Sequence, residues 1–148
     1  MEIRKLSSDD IDRFTELILV FADVFVMQDF SLPHKEHLLE VLAKPDFMVF
    51  VAIEDDRVIG GLTAYTLHQY YAEKPLAYIY DLAIRTKYQR QGIGRKLIAE
   101  INAYCQANGY EEVFVQADKA DDYALDFYRL TKPTNEEEVV HFYYALGK

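Results

Sequence analysis

Asp81 is the one charged residue in an otherwise apolar run, "PLAYIYDLAI" at residues 75–84. A carboxylate there is costly to desolvate and needs a reason. One reason is chemistry: an amine nucleophile must be neutral to attack, and a positioned carboxylate can take its proton, directly or through water. The other is a buried acid satisfied by a backbone amide or a basic neighbour. A few residues on, "YQRQGIGRKL" (88–97) sets Gly92 and Gly94 among basic side chains. Arg85, Lys87, Arg90, Arg95 and Lys96 all fall in the window 85–96, which holds no Asp or Glu. Glycine lets a ligand come close to the backbone, and the N–H groups and dipole of a helix N-terminus favour an anion. A phosphate-bearing ligand accounts for both the glycines and the charge; a glycine turn with solvated basic residues is the alternative. A dinucleotide fingerprint needs a third glycine where Leu97 stands, and a P-loop needs Ser or Thr after Lys96, where the same leucine stands.

Other polar residues are weaker candidates. Asp118, Asp121 and Asp122, with Asp126, are spaced to ring the end of a strand and the start of a helix, where one of Asp121 and Asp122 can simply cap the helix. His34 and His37 stand three apart with no third ligand in view, so no metal is expected. Cys105 lies on an apolar stripe, where an inert core thiol is the usual reading, and being alone it forms no internal disulfide.

The elements that must position these groups follow from periodicity. "MEIRKL" alternates as a strand, and Ser7, Ser8, Asp9 and Asp10 offer capping oxygens for a helix carrying Ile11, Phe14, Leu17, Ile18, Phe21 and Phe25. Pro33 opens a second helix with Leu38, Leu39 and Leu42, ended by Pro45. "FMVFVAIEDDRVIGGLTAYTL" reads as a hairpin turning at residues 54–57, and the run holding Asp81 reads as a central strand. Ile93, Leu97, Ile98, Ile101, Tyr104 and Cys105 form a helical stripe that starts near Gln91 or Gly92 and stops at Gly109. "EEVFVQA" is a strand, Asp121 to Leu130 a helix that Pro133 ends, and "VVHFYYAL" a last strand. The expected order is β-α-α-β-β-β-α-β-α-β within one domain, residues 1–148.

Composition narrows the class. The chain has 148 residues and is 51% hydrophobic, enough for a real core. Its formal net charge of −9 argues against nucleic acid as a partner and suits a cationic substrate. The start "MEIRKLSSDD" lacks a signal-peptide pattern, and "LILVFADVFVM" is interrupted by Asp23 and short of the ~20 apolar residues a membrane span needs. A soluble cytoplasmic protein without a membrane partner is the expectation.

Gln89-Arg90-Gln91-Gly92-Ile93-Gly94 after the strand "YIYDLAI" resembles the Gln/Arg-x-x-Gly-x-Gly/Ala signature of the GNAT superfamily of acetyl-CoA-dependent N-acetyltransferases. "DDYALDFY" is similar to the family's second signature, Asn-x-x-Ala-x-x-Phe-Tyr, with Ala124, Phe127 and Tyr128 in place and Asp121 where Asn is usual. The element order agrees as well. More narrowly, "YIYDLAI", "VQADKADDYALDFY" and "EEVVHF" resemble the gentamicin-type aminoglycoside 3-N-acetyltransferases. The resemblance implies an α/β fold of the α+β type, with a mixed, mostly antiparallel sheet of six to seven strands and about four helices. It implies direct transfer of an acetyl group from acetyl-CoA to an aminoglycoside amine, at the 3-amino group. It places the cofactor's pyrophosphate on Gln91, Gly92, Ile93 and Gly94, with Gln89, Arg90 and Arg95 close by and Asp121 beside the cofactor arm. It pairs the pantetheine with the backbone of Leu82, Ala83 and Ile84. Asp81 becomes the candidate base and Tyr128 the acid that protonates the leaving thiolate. Asp81, Asp118 and Asp122 face the cationic amine, with Tyr80 and Asp29 weaker candidates. A homodimer is compatible with the family. The same signatures also fit an enzyme acting on another amine, or a non-catalytic acetyl-CoA-binding module. The Leu-Gly-Phe that usually follows the Tyr helix is absent: Thr131 stands there, so Pro133 must stop the helix in another way.

Overall fold

Residues 1–147 are described in a computed structural model, and their contacts divide the chain into two units, residues 1–116 and residues 117 onward. The first unit runs β1 (Glu2–Lys5), α1 (Ile11–Val24), α2 (Lys35–Leu42), β2 (Phe47–Glu54), β3 (Arg57–Leu67), β4 (Leu76–Ile84), a single 3-10 turn (Thr86–Tyr88), α3 (Ile93–Ala107) and β5 (Glu112–Val115). The second contains α4 (Asp122–Leu130). The strands lie in sequence order, β1 to β4 antiparallel and β5 parallel to β4.

The mixed, mostly antiparallel sheet and the four helices match expectation; the strand number does not. The sheet has five strands rather than six to seven, because "VVHFYYAL" joins no ladder among the described residues. Its composition suits a strand, but a strand exists only where a neighbour supplies hydrogen bonds.

β2 is buried along nearly its whole length, as its unbroken apolar run requires, because helices cover both faces. Val49, Val51 and Ile53 join the core with Leu17, Val20 and Phe21 of α1 and Leu38 and Leu42 of α2. Phe50 points the other way, its ring 6.0 Å from that of Tyr104 on α3. Leu97 and Ile101 of α3 are fully buried. Gly61 is what lets α1 lie this close: a Cβ there would stand 2.5 Å from the Phe50 carbonyl oxygen and 2.8 Å from the Leu17 side chain.

The β2–β3 turn has Asp55 and Asp56 at φ 51° and 61°, the left-handed pair that suits the twist of a tight hairpin. Arg13 of α1 holds it, donating to the Asp56 carbonyl at 2.8 Å and to its carboxylate at 2.6 Å. At the start of α1, Asp10 turns backward rather than onto the helix, accepting the Ser7 N–H at 2.8 Å.

Candidate active site

β4 carries an irregularity that builds the site. Thr63 pairs with Asp81 and the next residue, Ala64, pairs with Ile79, so Tyr80 is an extra residue without a partner on β3. In a regular strand neighbouring side chains point to opposite faces; a bulge breaks that alternation and re-aims them. Here Tyr80 and Asp81, consecutive in sequence, both line one cavity.

That cavity measures about 280 Å³ and lies entirely within the first unit. α1 contributes Phe14, Ile18 and Phe21, α2 contributes His37, Leu38 and Val41, and the intervening loop Met27 and Phe30. Phe47, Thr63 and Tyr65 complete the wall. The Tyr65 ring stands between those of Phe47 and Tyr80, at 5.2 and 5.7 Å. Asp81 is the one acid in this aromatic lining. Among the described residues no hydrogen bond or ion pair holds its carboxylate, and burial raises its pKa above the ordinary aspartate value. Burial is also the main reason the Tyr65 hydroxyl is raised, with the charges of Tyr80 and Asp81 adding to it. The satisfied buried acid weighed from the sequence is therefore not what the fold builds. An unpartnered carboxylate of raised pKa facing a cavity is the form a general base takes.

Beyond Asp81, β4 has an open side. The β4–β5 ladder ends at Ile79 and Val115, so residues 80–84 keep β3 on one side and no described strand on the other. Arg85 donates its N–H to Ile59 of β3, and by the alternation of an antiparallel ladder Leu82 and Ile84 turn their backbone groups toward the open side. There the Gln89 side-chain amide donates to the Ile84 carbonyl at 2.8 Å, tying the loop to the strand end. Ala83, between them, is buried in the core.

The loop then delivers the chain to α3. Arg90 takes φ 63° and Gly92 φ 82°, two left-handed residues that turn the backbone into the helix. α3 starts at Ile93 with Gly92 at its cap position; no side chain caps its amides and its first turn holds no acid. Gly94 is buried, whereas Gln91, Arg95 and Lys96 are exposed. Nothing lies within 4 Å of the position a Cβ on Gly92 would take, so the space before these amides is open. Uncapped amides, a local excess of positive charge and an unpaired strand edge together fit an anionic ligand with an extended, amide-bearing arm.

In the second unit, Asp121 caps α4, its carboxylate accepting the Ala124 N–H at 3.1 Å. Asp118 closes the preceding turn by accepting the Ala120 N–H at 2.9 Å. Asp122 and Asp126 lie on α4, and Tyr128 sits next to Phe127 with ring centroids 5.0 Å apart. The missing glycine is replaced by two devices: the Thr131 hydroxyl donates to the Tyr128 carbonyl at 2.6 Å, and Lys132 takes φ 58°.

Sequence reading missed Phe14, Phe21, His37, Thr63 and Tyr65 as cavity residues. Phe14 and Phe21 read as the apolar stripe of a helix, Thr63 and Tyr65 as hairpin positions and His37 only as half of an incomplete metal pair, and only the convergence of α1, α2, β2, β3 and β4 distinguishes them. Asp29 is exposed and does not line the cavity, though its neighbours Met27 and Phe30 do. Cys105 is buried, its thiol pushed up to about 11, which leaves it protonated and unreactive. Among the described residues no group of three or more His, Cys, Asp or Glu could hold a metal, and no helix is long and apolar enough to cross a membrane.

The geometry has counterparts among known proteins. A family profile described as "Acetyltransferase (GNAT) family" matches residues 14–131. A crystallised aminoglycoside acetyltransferase from an uncultured soil metagenomic sample, in complex with trehalose, is 58% identical with a TM-score of 0.97, over 99% of this chain and 96% of that one. The same enzyme in complex with sisomicin aligns at 57% identity and a TM-score of 0.97, with the same coverage. Another aminoglycoside acetyltransferase from an uncultured soil metagenomic sample is 28% identical with a TM-score of 0.91, over 99% of this chain and 98% of that one. No curated protein matches the chain.

Proposed function

The chain belongs to the GNAT acetyltransferase family, and from that premise we propose that it moves an acetyl group from acetyl-CoA to the 3-amino group of an aminoglycoside. The observation that carries this reading is the unpartnered Asp81 carboxylate in an aromatic cavity, next to the open edge of β4. A relative of 57% identity bound to sisomicin supports the choice of acceptor class.

In this reading the amides of Gln91, Gly92, Ile93 and Gly94 meet the pyrophosphate, with Arg90 and Arg95 adding charge. Gln89 holds the loop to Ile84. Leu82 and Ile84 offer backbone groups to the pantetheine, and one of these N–H groups meets the acetyl oxygen as charge develops on it. Sugar rings lie against the tyrosines and phenylalanines of the cavity, and Asp81 draws one ammonium to the carbonyl and takes its proton. The amine nitrogen forms the new bond to the acetyl carbon, the carbon–sulfur bond breaks, the thiolate takes a proton from Tyr128, and the second proton lost by the nitrogen restores the Tyr128 hydroxyl through water while Asp81 releases the first to solvent. Asp118 and Asp122 supply negative charge for the remaining ammonium groups. Asp121, occupied in capping α4, contributes to the cofactor side by ordering that helix.

Incubation with acetyl-CoA and sisomicin, followed by mass spectrometry and NMR of the product, tests the proposal. A single added acetyl on the 3-nitrogen is expected; an acetyl on another nitrogen overturns the position, and an unmodified antibiotic overturns the acceptor class. The largely apolar cavity wall also suits a smaller amine with an apolar body. That second reading gains if such amines turn over faster than sisomicin in the same assay.

A further inference from the structure

Four aromatic residues stand in register across the sheet. Phe47 of β2 pairs with Tyr65 of β3, Tyr65 with Tyr78 of β4, and Tyr78 with Phe114 of β5. Residues paired in a ladder project to the same face, so these rings form one row across the strands. The bulge adds Tyr80 to the row, its ring 5.7 Å from that of Tyr65 and 5.9 Å from that of Tyr78. Tyr78 and Phe114 then stack nearly parallel, at 4.8 Å and 6°. The row is continuous from Phe47 to Phe114, yet only its first part belongs to the cavity. Phe47, Tyr65 and Tyr80 line that space, and Tyr78 and Phe114 lie beyond it. Tyr80, where the two parts meet, is 58% exposed, and Tyr78 and Phe114 are each half-buried. The Tyr78 hydroxyl donates to the Gln116 side-chain oxygen at 3.2 Å, which fixes the angle of its ring.

Size makes this continuation matter. The cavity measures about 280 Å³, below the roughly 300–1,000 Å³ of sites that enclose a drug-sized ligand. A multi-ring acceptor that brings one amine to Asp81 must therefore leave other rings outside, and the aromatic row leads outward from the residue next to Asp81. Its faces suit an amino sugar: ring C–H groups lie on the π-face, and ammonium groups at the sugar's rim are drawn to the ring quadrupole. We propose that Tyr78 and Phe114 form an outer subsite that takes a second amino-sugar ring while the reacting ring sits in the cavity at Asp81. The inference rests on the aminoglycoside reading of this site and adds to it the residues that favour a multi-ring acceptor over a single ring.

Kinetics with two acceptors test this: sisomicin, and 2-deoxystreptamine, which is the central ring of sisomicin alone. Tyr78→Leu and Phe114→Leu keep apolar bulk and lose the ring face. Each should lower the ratio of kcat/KM for sisomicin to that for 2-deoxystreptamine by about 3- to 10-fold, through the KM for sisomicin. Tyr78→Phe keeps the ring and loses only the bond to Gln116, so it should hold the ratio near the wild-type value. An unchanged ratio in both leucine variants, with sisomicin still acetylated, would overturn the outer subsite alone. A wild-type chain that does not acetylate sisomicin would overturn the acceptor reading and the subsite together. Saturation-transfer NMR of the wild-type chain with sisomicin gives a second readout. Irradiation of the aromatic protons should reach two neighbouring rings of the antibiotic, and transfer confined to one ring would contradict the proposal. That measurement decides alone if the leucine variants fail to fold or the single ring is not turned over.

Discussion

Asp81 ties the physics of the fold to the chemistry of the site. Burial without a partner favours its protonated form, so its folded pKa lies above the unfolded one. The sign for activity follows: a base must be ionised, so kcat/KM should fall on the acid side through a pKa above the ordinary aspartate value. Asp81→Asn should remove that limb from the pH profile. The sign for stability is the opposite: the stabilisation is fully present below the unfolded pKa and is lost as pH rises through the folded one. Urea unfolding at pH 7 should therefore find Asp81→Asn more stable than the wild type, with the gap closing as pH falls below 4. A gap that widens toward acid pH would mean the carboxylate has a stabilising partner. The lone acid in "PLAYIYDLAI" was visible in the sequence because charge is rare in such a run. That it faces a cavity beside Tyr80 was not, because a bulge is a property of pairing between two strands and leaves no mark on the period of one.

Two glycines mark where elements constrain each other. Gly61 brings α1 against the sheet, and a methyl there meets the Phe50 carbonyl and Leu17. Gly61→Ala should cost about 1–3 kcal/mol in urea unfolding, the range for overpacking a tight interior. Gly92 has open space but φ 82°. Gly92→Ala should cost about 1 kcal/mol through backbone strain, and it should raise the KM for acetyl-CoA by placing a methyl before the α3 amides. Unchanged KM would remove the ligand from this loop. The strand–loop–helix unit was readable because glycine, charge and periodicity all change at the same residues, 85–96. The last expected strand was misread for a physical reason: "VVHFYYAL" has the propensity, but propensity cannot supply a neighbour. The helix stop after Leu130 was equally hidden, since a hydroxyl cap by Thr131 and a left-handed Lys132 are less regular signals than glycine.

Charge divides the molecule by role. The net charge is −9, while the window before and into α3 is purely basic, and the proposed function assigns the anionic cosubstrate to that window and the cationic amine to the acids elsewhere. Attraction of a polycation by solvent-exposed acids is screened by salt, with a Debye length falling from roughly 10 Å at 0.1 M to 3 Å at 1 M. The KM for sisomicin should rise several-fold between 0.05 and 0.5 M salt, whereas that of a monoamine should change little; parallel responses would deny the acids that role. Amine acetylation with Asp81 as base can be read from the release of CoA thiol by the purified chain given acetyl-CoA and sisomicin. Thiol should appear in proportion to added antibiotic, and Asp81→Asn should slow it by about 10²- to 10⁴-fold with acetyl-CoA binding unchanged. Release at the same rate without sisomicin, or at the wild-type rate from Asp81→Asn, would contradict the account.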